Sequence, residues 1–144
     1  MKNPFILPLL AVLSMCFCEF TNADVYVIAG TQSPWSGLTQ KDLLALYMGR
    51  SRSLDPGGFA SVLDLPRSHP TRDEFYTALT GMSPAQVSSY WSRLIFAGKT
   101  LPPPTLPTEQ LILEQVQRNP KAIGYQSKPP SDPSVKTLLV FKSP

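Results

Sequence analysis

A chain of 144 residues that is 42% hydrophobic and 16% charged carries enough apolar material for one packed domain and too little length for two. Its net charge of +3 comes from scattered rather than clustered basic residues, which mildly favours anionic partners and argues against a nucleic-acid binder. With two cysteines, both near the N-terminus, and His69 as the sole histidine, thiolate metal sites and cysteine catalysis drop out.

Residues 1–23 read as a secretory signal peptide: Lys2, an apolar run from Phe5 to Phe20, then Thr21-Asn22-Ala23 at the cut. Pro8, Ser14 and Glu19 interrupt the run, which is also short for a bilayer span. Cutting there removes Cys16 and Cys18. Leu13-Ser14-Met15-Cys16 also resembles a bacterial lipobox, so lipidation at Cys16 stands as the alternative, although Met15 is a poor fit beside that cysteine. The expected mature domain is residues 24–144, exported to the periplasm.

Asp24-Val25-Tyr26-Val27-Ile28-Ala29-Gly30 has the β-branched and aromatic character of a buried strand. A capping box at Thr39 and Asp42 predicts a helix over 40–48, with Leu43, Leu44, Leu46 and Tyr47 on its apolar side and Gly49 ending it. Residues 50–58 read as a loop and 59–65 as a short strand. Thr71 followed by Glu74 reads as a second capping box, starting a helix over 72–80 that buries Phe75, Tyr76 and Leu79. Ser83, Pro84 and Gln86 open a third helix, whose Val87, Tyr90, Trp91, Leu94 and Ile95 make a core-facing stripe. Four prolines within 101–107 impose an extended connection, read as a stiff tether across the surface or as a docking segment. Thr108 caps a helix over 109–118, and strands follow at 122–125 and 135–141.

The stretch Arg67-Ser68-His69-Pro70-Thr71-Arg72 is the candidate site, because a helix N-terminus beside basic and hydroxyl side chains suits an oxyanion. The same residues also suit an ordinary capped surface loop. A hydrolytic triad of Ser68, His69 and Asp64 would join sequence neighbours, which seldom point at one another, so no catalytic residue, metal or cofactor is expected.

SGLTQKDLLALYMG, starting at Ser36, resembles the LTxxxLxxIFxGKxxxW signature of phosphate-type periplasmic solute-binding proteins of ABC transporters. In that family a strand, a Gly-Ser-Gly-Thr turn opening a helix, and a Pro-x-Ala-Ile-Gly-Tyr strand follow in order. Here Val62-Leu63-Asp64-Leu65, Ser68-His69-Pro70-Thr71 and Pro120-Lys121-Ala122-Ile123-Gly124-Tyr125 keep that order. Ser68 and Pro70 stand at the family's glycines, His69 at its serine, and Leu54 at the signature tryptophan. The resemblance implies an α/β fold, a small mixed sheet with packed helices like one lobe of a type 2 periplasmic-binding protein. It also implies phosphate or another small oxyanion as ligand, with Arg67, Ser68, His69, Thr71 and Arg72 around it. The other reading is a non-catalytic single-lobe interaction module that partners a membrane sensor or transport complex.

Overall fold

In the computed structural model of the protein, residues 23–144 are described. The residues up to Asn22, on which the signal-peptide expectation, Cys16 and Cys18 fall, lie outside the described residues. β1 (Val25–Gly30) is central, and its buried β-branched residues fit a strand covered on both faces. It pairs antiparallel with β5 (Ala122–Gln126) and with β6 (Val135–Phe141), while β4 (Ser61–Val62) lies parallel to β5. The order β4-β5-β1-β6 makes the expected small mixed sheet.

The helices cover it from two sides. α1 (Gln40–Tyr47) starts at the Thr39–Asp42 capping box, and α3 (Pro84–Phe96) at the Ser83–Gln86 box. α2 (Pro70–Thr80) ends at left-handed Gly81, and α4 (Glu109–Arg118) is capped by Thr108. Successive residues of β5 face opposite ways. Tyr125 stacks on Phe75 of α2 with centroids 3.9 Å apart, whereas a Cβ on Gly124 would strike Ile112 of α4. α1 and α2 therefore lie on one face of the sheet and α4 on the other. A Cβ on Gly30 would come 2.5 Å from the Val116 carbonyl oxygen, so both strand glycines exist to let α4 lie close.

Three expectations need correction. The loop over 50–58 contains β2 (Ser53–Leu54), which forms a hairpin with β3 (Gly58–Phe59), anchored by buried Leu54. The single strand expected over 59–65 is divided into β3, β4 and an isolated bridge from Asp64 to Thr105. The proline segment supplies the other side of that bridge: Asp64 N–H donates to the Pro104 carbonyl at 3.0 Å and Leu106 N–H to the Asp64 carbonyl at 2.9 Å. The helix expected to start at Arg72 begins two residues earlier, for reasons that bear on the site.

Candidate functional site

β4 leads through Leu63, Asp64 and Leu65 into the turn that opens α2, so a strand end and a helix start meet at Arg67-Ser68-His69. His69 N–H donates to the Pro66 carbonyl at 2.9 Å and closes that turn. The N-cap is His69, not Thr71: its backbone is extended, with φ −82° and ψ 125°, and its Nδ1 accepts the Thr71 N–H at 3.3 Å. Pro70 then takes the first helical position, where a fixed φ is already suitable and a missing N–H costs nothing. With Nδ1 as acceptor, a neutral imidazole carries its proton on Nε2. The Thr71–Glu74 capping box does not form.

Thr71, freed from capping, is buried and donates its hydroxyl to Glu109 Oε1 at 2.6 Å, while Ser127 donates to Glu109 Oε2 at 3.1 Å. A carboxylate from the first turn of α4 thus sits against the start of α2 with a hydroxyl on each oxygen. Arg72 turns the other way, into the core. Its Nε donates to Asp64 Oδ2 at 3.3 Å, and its guanidinium lies 4.7 Å from the centroid of the Tyr76 ring.

Asp64 is only 2% exposed and fully engaged. Its Oδ1 accepts from the Tyr125 hydroxyl at 2.5 Å and from Leu65 N–H at 2.8 Å; its Oδ2 accepts from the Tyr76 hydroxyl at 2.8 Å as well as from Arg72. Tyr47 completes the aromatic wall, donating to the Leu63 carbonyl at 2.8 Å. Burial first, then the Asp64 charge, raises the hydroxyls of Tyr47, Tyr76 and Tyr125 well above the ordinary tyrosine range, so all three act as neutral donors. A buried charge must be paired and hydrogen-bonded to be tolerated, and this one has four donors.

Of the five candidate residues, Arg67 and Ser68 are exposed and their side chains make no hydrogen bond or ion pair among the described residues. His69, Thr71 and Arg72 have protein partners. The six-residue stretch therefore stays together in space but points in three directions. Asp64 faces Arg72 and the tyrosines, so Ser68, His69 and Asp64 are not joined in a hydrogen-bonded array. Glu109, Ser127 and the tyrosine hydroxyls escaped sequence reasoning. The usable signal for Glu109 was its place in the first turn of the helix capped by Thr108, and for Ser127 its place just past the Ala-Ile-Gly-Tyr strand.

A mixed sheet covered by helices on both faces, with a strand running through a short turn into a helix, is the architecture of part of a phosphate-type periplasmic solute-binding protein. Two solved structures carry the comparison. An ABC-type phosphate transport receptor from Vibrio cholerae superposes with a TM-score of 0.61 at 20% identity, over 83% of this chain and 47% of that one. A putative phosphate ABC transporter substrate-binding protein with bound phosphate, from Clostridium perfringens, superposes with a TM-score of 0.62 at 21% identity, over 81% of this chain and 45% of that one. The chain thus spans less than half the length of these proteins while sharing their fold. No family model and no curated protein sequence matches the chain.

Proposed function

We propose that this is an exported, non-catalytic solute-binding-like protein of the phosphate ABC-transport type, one in which the place for a small oxyanion at the α2 start is filled by the protein's own Glu109 carboxylate. It then serves in the periplasm as a single-lobe interaction module for a membrane transporter or sensor. The observation that carries this reading is the pair of hydroxyl donors, Thr71 and Ser127, on the two oxygens of Glu109. Pro70 adds to it, because the helix start has one N–H fewer for a ligand, and the Thr71 N–H is already given to His69.

A second reading is favoured by the exposed pair Arg67 and Ser68, which together with His69 could hold phosphate weakly on the outer side of the same turn. Isothermal titration with phosphate and sulfate separates the two. The module reading expects no heat from the wild-type protein at millimolar anion, together with capture of a membrane protein from envelope extracts that survives Arg67→Ala. Phosphate binding with a Kd near ~1 mM, equivalent to about 4 kcal/mol, that disappears in Arg67→Ala would overturn it in favour of the second. Glu109→Ala removes both the resident charge and the side chain that fills the place beside Thr71 and Ser127. On the module reading it gains anion heat that the wild type lacks.

A further inference from the structure

Four of the five large apolar side chains exposed among the described residues gather on one side of the molecule, around the ends of α1 and α3: Phe59 at 60%, Ile95 at 48%, Phe96 at 96% and Leu101 at 73%. Contacts join the segments that carry them. A Cβ on Gly49, just past α1, would meet both Thr100 and the Trp91 ring, and Phe59 and Leu101 line one cleft with Trp91. Ile95 lies one turn beyond Trp91 on the same face of α3, and Phe96 is the last residue of that helix.

The charges on this side are of one sign. The two chain segments that meet at Gly49 contain no Asp or Glu, the first from Leu43 to Leu54 and the second from Phe75 to Thr108. They carry Arg50, Arg52, Arg93 and Lys99, all exposed, and none of the four forms an ion pair among the described residues. The acid nearest to them in sequence is Asp55, in the turn of the β2–β3 hairpin, so a positive surplus remains.

The end of α3 is also finished internally. Ala97 N–H donates to the Arg93 carbonyl, Gly98 N–H to Ile95 and Lys99 N–H to Leu94, each at 3.0 Å, with Gly98 left-handed at φ 63°. With these last-turn carbonyls satisfied, the tip can leave water without stranding them, a cost that a hydrocarbon border would otherwise exact in full. Ile95 to Lys99 are exposed one after another, and a Cβ on Gly98 would meet nothing within 4 Å, so the tip is convex. A convex apolar tip beside unpaired cations matches a surface that is negative outside, apolar beneath and soft enough to admit it. An acidic protein face would need a preformed pocket for Phe96.

We propose that the α3 tip docks on an anionic phospholipid surface, with Phe96, Ile95 and Leu101 entering the headgroup border and Arg50, Arg52, Arg93 and Lys99 facing the lipid phosphates. A few apolar side chains or a basic patch alone attach marginally; the two together give a reversible membrane attachment. No residue of the α2 start takes part.

Phe96→Trp supplies the probe, because Trp35 and Trp91 are each 3% exposed and respond little to a change outside the core. Vesicles of equal parts phosphatidylglycerol and phosphatidylcholine are expected to shift the emission of this variant of the full chain to the blue, and brominated lipid to quench it. The readout is local to the tip, so attachment through any other segment does not mimic it. Vesicles of phosphatidylcholine alone should give little shift. Adding Arg93→Gln and Lys99→Gln, both at exposed positions, should raise the lipid needed for half the shift by about 25-fold, roughly five-fold for each charge. Inorganic phosphate at matched ionic strength should not displace the protein, and Glu109→Ala should leave the response unchanged, so this result and the anion titration at the α2 start fail independently. Unmoved emission with the anionic vesicles would overturn the proposal and leave the tip to a protein partner. An equal response to phosphatidylcholine alone, displacement by free phosphate, or an unchanged midpoint in the charge variant would overturn it too.

Discussion

Replacing Arg72 with Met tests whether this arginine belongs to the core or to a ligand. The change removes one hydrogen bond to Asp64, long at 3.3 Å, and a guanidinium placed 4.7 Å from the Tyr76 centroid. Breaking a buried ion pair by deleting one partner typically costs about 3–5 kcal/mol, because a charge is stranded. Here the stranded carboxylate keeps Tyr76, Tyr125 and the Leu65 N–H, which puts the expected loss at the low end, roughly 3 kcal/mol. For a domain of this size that lowers Tm by about 10–15 °C. Asp64→Asn should cost at least as much, since it strands the guanidinium and leaves one carbonyl oxygen for two tyrosine hydroxyls. The double variant Arg72→Met/Asp64→Asn should lose less than the sum, with a coupling of about 1 kcal/mol or more. Urea unfolding of the four proteins measures all three quantities. A loss under about 1 kcal/mol for Arg72→Met, or strict additivity, would refute the assignment of Arg72 to the core and return it to the list of ligand donors.

Glu74 gives a pH-dependent test. Its carboxyl is held above the ordinary 4.5, chiefly by desolvation; the Ala23 N–H offsets this in part, and the nearby charges of Glu109 and Asp73 add to it. The folded protein therefore binds this proton more tightly than the unfolded chain, and stability falls as pH rises from the unfolded value through the folded one. Glu74→Gln should be more stable than wild type at pH 7 and indistinguishable from it below the unfolded value, as read by urea midpoints at the two pH values. Gly124→Ala should cost about 1–3 kcal/mol because its methyl group meets Ile112, whereas Gly37→Ala, whose Cβ would lie 3.7 Å from the Leu138 carbonyl, should change the midpoint little.

What the sequence revealed was local. Thr39, Ser83 and Thr108 start helices through side chains that reach only three residues ahead, and each cap forms where the residue order implies. The order of the family motifs likewise indicated the small mixed sheet. Thr71 looks like a cap by the same criteria. Pro70 at the first helical position and the His69 Nδ1 compete for that role and win, and the released hydroxyl finds Glu109, 38 positions away. The Asp64 cluster depends on Tyr125, 61 positions away, and the Thr105 bridge on a proline-rich run that by composition only announces an extended chain. Local rules cannot resolve partners at such distances, and the contacts that fix Thr71, Glu109 and Tyr125 in the candidate site are of this kind.

The proline segment has one more consequence. A strand at the border of a sheet is an invitation to neighbouring molecules, whose own strands can add to it and start ordered aggregation. Alongside β4, Pro102, Pro103 and Pro104 stand where such a strand would have to lie, and none of them has an N–H to contribute to a shared ladder. At the opposite border, Leu38 N–H occupies the Leu138 carbonyl at 3.1 Å and interrupts β6 near its midpoint. Both borders are thereby blunted, which protects the protein against edge-to-edge self-association.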